Sequence, residues 1–479
     1  MKKALFTAVA ALVLLGMVAF PALADINTGV GKTNIFMQNL GSGNAQVTVK
    51  FYAQDTGSPD WEYTLPSPIM PKGSTYLLYP NFQVPENWAG AAELASTEPL
   101  AAIVNMFWDG NSTAAAYSGI DAPAKQAYLP NLLKRIGTRK TRVTVQNTES
   151  TTANISMMFY DRNGTPVGTK NDTIPAKAEK TYDLDTVGEA NFDATAGTGS
   201  VYITSNTNIA AIASIHYPEG SVAYSGAANG DTTLWFLGVF RRQVGGVWRI
   251  YSANIIQNLG DVAANITVDL IGKGALPSTQ FTDTIPPKAS YGINTTVAGT
   301  MPVDKWNAAV ASLGDNWNGS IRVTCTNGQP LAGVSLYFNP GIVTDMVAYE
   351  AVRESDATTN AMSMPAVYRK FAPNMQWSTT LVQNLDNTDG VINVKFFSTA
   401  GTPAGNVDGY NVSLPANSSV GLNLKQLVNL PQAALDDLGN NFNGGMYITS
   451  VNGVRIVGNT IFFIETKGQA LGYSGFPIK

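Results

Sequence analysis

Val145-Gln-Asn147 followed by Ile155-Ser-Met-Met-Phe-Tyr160 is the stretch that decides the fold, because its pattern returns along the whole chain. A Gln-Asn pair ends an apolar run at Gln38-Asn39, Gln146-Asn147, Gln257-Asn258 and Gln383-Asn384, with spacings of 108, 111 and 126 residues. Fourteen residues after each Gln stands the last member of a second β-branched and aromatic run: Tyr52, Tyr160, Ile271 and Phe397. An offset held four times marks a repeated unit. Other anchors keep the same order. A Pro-containing turn recurs at Ile69-Met-Pro-Lys72, Ile174-Pro-Ala-Lys177, Ile285-Pro-Pro-Lys288 and Leu414-Pro-Ala-Asn417. A glycine then opens a strand at Gly90, Gly199, Gly319 and Gly444, and each unit closes at Tyr117-Ser-Gly119, Tyr224-Ser-Gly226, Tyr349 or Tyr473-Ser-Gly475.

Residues 25–479 divided by four leave about 114 residues each, the size of a seven-stranded immunoglobulin-like sandwich. Short alternating strands punctuated by Gly, Asn and Pro suit that architecture. The reading is an all-β protein of four tandem immunoglobulin-like β-sandwich repeats, at 25–120, 121–230, 231–357 and 358–479, strung in series. Short helical insertions are expected in the last two. There Pro302 and Pro431 precede segments ending in Leu313-Gly-Asp-Asn-Trp-Asn-Gly319 and Leu438-Gly-Asn-Asn-Phe-Asn-Gly444. Repeat one keeps a remnant, Pro85-Glu-Asn-Trp88-Ala-Gly90.

Composition agrees with packed sheets. Only 13% of the 479 residues are charged, against about 25% in an average soluble domain, so the solvent faces must carry Thr, Ser and Asn. The 44% hydrophobic content excludes a disordered chain. A formal charge of −4 excludes the basic patch of a nucleic-acid binder. Residues 1–24 read as a secretory signal: Lys2 and Lys3, an apolar run from Ala4 through Phe20, and Ala22-Leu23-Ala24 as a cleavage site before Asp25. A secreted chain with no transmembrane segment after processing is expected. With no lipidation Cys in the leader and no hydrophobic tail, attachment to a cell is expected to be noncovalent. Cys325 is the sole cysteine, so no internal disulfide is available.

The ordered set of a Tyr-Leu-Pro connector with a basic pair, Val-Gln-Asn, the Phe-Tyr strand, Ile-Pro-Ala, a Gly-Ser strand and Tyr-Ser-Gly resembles tandem immunoglobulin-like repeats in secreted surface proteins of filamentous bacteria. The likeness covers residues 25–479. It implies an extracellular β-sandwich array with a surface or matrix role and carries no activity with it. Repeat three departs by placing Glu350-Ala351 after Tyr349, which puts its edge geometry in question.

No catalytic or cofactor-binding constellation emerges. His216 is the only histidine, so one chain offers no two-histidine metal site, and a polar residue at a strand end is the plain reading. Cys325 aligns with Ser205 and Ser450 and lacks a nearby base in sequence. Asp386-Asn-Thr-Asp-Gly390 and Asp161-Arg-Asn-Gly164 are acidic turns of a type that holds calcium or simply turns a hairpin, so metal ligands stay unassigned. Trp88, Trp317 and Phe442 recur two residues before the strand-opening glycine and suit packing, whereas Trp61, Trp108, Trp248 and Trp377 are less regular. The paired Gln and Asn read as scaffold residues that bond local backbone.

One count points to function. Apolar connectors lie between units, at Ala127–Leu133, Leu234–Phe240 and Met362–Tyr368, so four units share three such elements, and the unit without one is the first if each connector opens the following unit or the fourth if each closes the preceding one. One sheet edge is therefore expected to be open, and open edges accept strands from other molecules. The leading expectation is a non-enzymatic structural protein of the cell surface or extracellular matrix, a filament, sheath or surface-layer subunit that self-associates through sheet edges. A glycan-binding or cell-adhesion protein recognising cell-envelope glycans is the second reading. A polysaccharide-active enzyme is the third, and it requires two carboxylates in one groove.

Overall fold

The computed structural model describes residues 31–478, apart from 79–80, 82, 86–87, 109–112, 137–138, 193–196, 218–219, 341–345 and 427. The leader at 1–24 and part of the Pro85–Gly90 remnant lie outside the described residues.

The protein is all-β. The first segment contains β1 (Lys32–Asn39), β2 (Val47–Ala53), β3 (Pro59–Thr64), β4 (Ser74–Leu77), β5 (Gly90–Ser96), β6 (Leu100–Trp108) and β7 (Thr113–Ser118). The second has β8 (Ala124–Ile136), β9 (Arg139–Asn147), β10 (Ala153–Asp161), β11 (Pro166–Ile174), β12 (Glu179–Asp183), β13 (Thr198–Tyr217) and β14 (Gly220–Ser225). In the third are β15 (Thr233–Val244), β16 (Val247–Asn258), β17 (Ala264–Gly272), β18 (Thr279–Ile285), β19 (Ser290–Asn294), helix α1 (Val303–Ala308), β20 (Asn316–Cys325), β21 (Leu331–Phe338), β22 (Met346–Glu350) and β23 (Val352–Arg353). The fourth runs through β24 (Ala361–Arg369), β25 (Gln376–Asn384), β26 (Gly390–Ser398), β27 (Pro403–Ala404), β28 (Tyr410–Leu414), β29 (Ser419–Asn423), helix α2 (Gln432–Leu438), β30 (Phe442–Ser450), β31 (Ile456–Ile464), β32 (Gln469–Ser474) and β33 (Phe476–Ile478). Both helices start directly after the prolines that announce them, Pro302 and Pro431.

One pairing order recurs. In the third segment it is β18-β17-β20-β15 and β19-β16-β21-β22. The fourth gives β28-β26-β30-β24 and β29-β25-β31-β32. In the second, β13 is long enough to serve both sheets, pairing β10 and β8 with its first half and β9 and β14 with its second. The B–E and C–F pairs of an immunoglobulin domain are present as β16–β19 and β17–β20. The first strand β15, however, runs along the sixth and the seventh pairs with the second, so two strands have exchanged partners relative to the ABED/CFG order. The first segment has β4-β1-β6-β7 and β3-β2-β5, with no counterpart of β8, β15 or β24 among the described residues.

The recurring Asn explains the conserved turn geometry. Asn147 Nδ2 donates to the carbonyls of Thr151 (2.6 Å) and Pro175 (3.0 Å), while its Oδ1 accepts from the Glu149 N–H (3.1 Å). Asn39, Asn258 and Asn384 make matching sets, and all four are fully buried. A buried amide satisfied on both sides ties the turn after the Gln-Asn strand to the Pro turn, as a scaffold role requires.

The four segments close on one another and are not strung in series. The closing strands pack in a circuit, β7 on β14, β14 on β22, β22 on β32, and β32 back on β7. Ile103, Ala114 and Ala116 of the first segment belong to the core of the fourth, and Gln38 Oε1 accepts a hydrogen bond from Ser363. The apolar connectors supply the reason. Each is the first strand of its own segment and has a second face that packs on the following sheet: β8 on β16 and β21, β15 on β25, β24 on β1 and β6. All nine positions of β24 are buried accordingly. At the centre, the departure after Tyr349 has a use, because the Glu350 carboxylate accepts the Ser225 backbone N–H of β14.

Candidate functional site

Gly90-Ala-Ala-Glu-Leu-Ala-Ser96 forms β5, and β2 is its only strand partner among the described residues. The ladder is fixed at both ends by Gln54 N–H to Ala89 O (2.8 Å) and Thr97 N–H to Gln46 O (3.2 Å). Antiparallel bonding alternates, so with the register Tyr52↔Ala91 and Lys50↔Glu93, the N–H and C=O of Ala92 and Leu94 point away from β2 to the open edge. Their counterparts in the second segment, Val201 and Ile203, are fully buried and face Leu129 and Ala127 of β8.

Side chains confirm the gap. Val104, Met106 and Trp108 on β6 are half-buried. At the equivalent register Ala213, Ile215 and Tyr217 are buried, as are Thr460, Phe462 and Ile464. The hydroxyl of Tyr117 tells the same story. Tyr224 OH donates to Asn131 O (2.6 Å) and accepts the Asn131 N–H (3.1 Å). Tyr473 does the same with Ala366 (2.8 and 3.2 Å), and Tyr349 donates to Leu237 O. Each acceptor sits at the bulge of a first strand. Tyr117 has no such strand beside it and no hydrogen-bond partner among the described residues.

The seam between the first and second segments is accordingly polar. Asp55 N–H donates to Glu179 O (3.0 Å), Lys177 pairs with Glu93 (3.2 Å), and Trp108 meets His216 edge-on at 4.8 Å. Glu179 is 6% exposed; burial first, and then the Asp55 charge, push its carboxyl up to about 7.

Residues singled out from sequence resolve as follows. His216 is buried, with Nδ1 3.0 Å from Ser221 Oγ, and burial followed by the Arg142 charge lowers it to about 4. Cys325 accepts the Gln329 N–H (3.2 Å) and donates toward Asn327 Oδ1 (3.1 Å), capping a turn as Ser450 does when it donates to Val454 O (2.7 Å). Asp161 accepts two backbone N–H groups of its own hairpin, from Asn163 and Thr165. Asp386 is bound by Arg455 at 2.8 Å, and Asp389 accepts the Ala416 N–H. No group of three or more His, Cys, Asp or Glu side chains suited to a metal occurs among the described residues.

Trp317 is buried with Nε1 on Pro277 O (2.8 Å), and Trp377 is buried on Phe463. Half-buried Trp61 stacks on Phe51 and Tyr63, Trp88 donates to Asp60, and Trp248 lies under Arg241. These rings are dispersed over separate segments, and Tyr76 is the one aromatic among the exposed large apolar side chains described. A cavity of about 570 Å³ beside β10 and β11 is lined by one carboxylate, Asp172, which is held by Lys180 (3.0 Å) and Tyr182 (3.1 Å). No described helix is long and apolar enough to cross a membrane. The sequence reading did not single out Ala92, Leu94, Val104, Met106 or Glu179; the count of three connectors for four units was the available signal.

No family model matches the chain, and no curated protein sequence matches it. Among solved structures, a Thermotoga maritima protein, 1070, is similar at 19% identity over 22% of this chain and 94% of its own, with a TM-score of 0.19. The Anabaena sensory rhodopsin transducer is similar at 17% identity over 19% of this chain and 95% of its own, with a TM-score of 0.17. A β-glucuronidase of glycoside hydrolase family 2 gives 9% identity over 68% of this chain and 30% of its own, with a TM-score of 0.15.

Proposed function

We propose that this chain is a secreted, non-enzymatic structural protein of the cell surface or matrix, built from four β-sandwich repeats that keep the B–E and C–F pairs of immunoglobulin domains. It is a filament, sheath or surface-layer subunit, and copies join through a sheet edge. The observation carrying this reading is the edge of β5, which has no strand partner beyond β2 among the described residues, where the other three segments pair the matching strand with β8, β15 or β24. Unpaired N–H and C=O groups template strand addition, and a head-to-tail contact that does not close yields a linear polymer.

Sedimentation and negative-stain imaging of residues 25–479 over a concentration series test it. Assembly should grow with concentration and fail in Ala92→Pro, which removes an edge donor without touching the β2 ladder. A monomer at every concentration, or filaments indifferent to Ala92→Pro, would sink the reading.

A further inference from the structure

At one end of the otherwise apolar seam between the second and third segments lies a cleft of about 230 Å³, lined by Arg139 and Arg162 and by no Asp or Glu among the described residues. Three elements build it. Because β13 serves both sheets, its start and its end both reach the β8–β9 hairpin, with Thr198 opposite Leu133 and His216 opposite Lys140. Arg139 opens β9 and lies over the buried Tyr217 ring, 5.5 Å from its centroid. The turn between β10 and β11 delivers Arg162, whose carbonyl accepts the Ser290 N–H of the third segment (3.0 Å). Its side chain is exposed.

Two further wall residues carry unused polar groups. Asn131 and Thr198 are 7% and 4% exposed, and Asn131 Nδ2 and Thr198 Oγ1 have no hydrogen-bond partner. Orphaned buried donors are costly, and so are two neighbouring guanidinium groups without a carboxylate, so a guest that is both anionic and rich in hydroxyls relieves both.

The repeat does not require these residues. Asn131 stands at the bulge that receives the Tyr224 hydroxyl, where the third and fourth segments place Leu237 and Ala366. Arg139 lies seven residues before Gln146, and the matching positions hold Gly31, Ile250 and Gln376. Arg162 lies sixteen after it, against Gln54, Lys273 and Thr399. Only the second segment has arginine at both.

We propose that this cleft binds an acidic sugar, a uronic acid residue of a polysaccharide. Planar guanidinium groups match the two oxygens of a carboxylate, while the free amide and hydroxyl groups match ring hydroxyls. The volume falls below the roughly 300–1,000 Å³ of sites for drug-sized ligands, so it suits a single ring, with the rest of the polymer leaving past Arg162. The assignment does not rest on the assembly reading, whose edge belongs to the first segment.

Isothermal titration calorimetry of residues 25–479 at physiological salt tests it, with oligomers of galacturonate, glucuronate and mannuronate, neutral galactose oligomers, and sodium sulfate. At least one uronate should bind, and the neutral sugar should bind about tenfold or more weakly, the size of a lost charge-assisted hydrogen bond. Arg162→Gln should weaken uronate binding about tenfold with an unchanged melting temperature, and Asn131→Leu, which installs the third segment's residue, about five- to tenfold. Silence from all three uronates overturns the assignment. So does equal binding of the neutral sugar, sulfate binding as tightly as uronate, or uronate binding indifferent to Arg162→Gln. Ala92→Pro should leave the titration unchanged, so sugar binding without filaments would keep this assignment and remove the assembly reading.

Discussion

The seam between the second and third segments and the seam between the first and second use the same sheets with one strand of difference. In the former, β8 inserts Tyr128 against Tyr202, Leu259 and Ala332, while Val334 and Leu336 of the third segment enter the second segment's core. In the latter no such strand intervenes among the described residues, and beside the packing of β7 on β14 the contacts include Lys177–Glu93, a backbone bond to Glu179, Ser225 Oγ to Ser118 O, and Trp108 against His216. One strand with two apolar faces thus decides whether a seam is dry or polar. Burying both faces is also what makes the connectors too hydrophobic to be linkers.

The contrast can be broken or sharpened by experiment. Leu129→Ala should destabilise the protein by about 2–5 kcal/mol in denaturant titration, because a fully buried side chain of the wedge strand is lost. Native-state exchange gives the next effect. Ala92 and Leu94 amides should exchange about a hundredfold faster than those of Val201 and Ile203, and comparable rates would show that the β5 edge is closed. Tyr224→Phe should cost about 1–2 kcal/mol by stranding the Asn131 backbone groups, while Tyr117→Phe should stay within about 0.5 kcal/mol in the chain from Asp25.

The smallest effects are titrations of opposite sign across the polar seam. Glu179 is raised from 4.5 to about 7, so its contribution is intact below pH 4.5 and is lost as pH rises through 7; Glu179→Gln should flatten that decline. His216 is lowered from 6.5 to about 4, so its contribution is intact above pH 6.5 and is lost as pH falls through 4. Thermal melts between pH 4 and 8 on the wild type and the two variants Glu179→Gln and His216→Phe separate the slopes. A Glu179→Gln profile parallel to wild type would place that carboxylate in solvent.

Much of this was legible in the residues. The Gln-Asn register locates a repeated strand in every segment, Pro302 and Pro431 announce both helices, and counting connectors sets one terminal segment apart, which among the described residues is the first. The circuit was not legible, because its closing contacts, such as Gln38 with Ser363, join positions 325 apart and leave no local pattern. Nor was the groove: Val104 and Met106 alternate like any core strand, and they are half-buried because no strand covers them among the described residues. Glu179 looks like an ordinary polar strand residue until Asp55, from another segment, is brought beside it.

Closure of the circuit also sets an order of events at the ribosome. The outward side of the first segment, with Ile103, Ala114 and Ala116, finds its cover only in residues translated last. For most of synthesis that surface must stay wet or be held by a chaperone, and its final burial is a long-range step of the slow kind. Truncating the C-terminal quarter should therefore harm the beginning of the chain more than the middle.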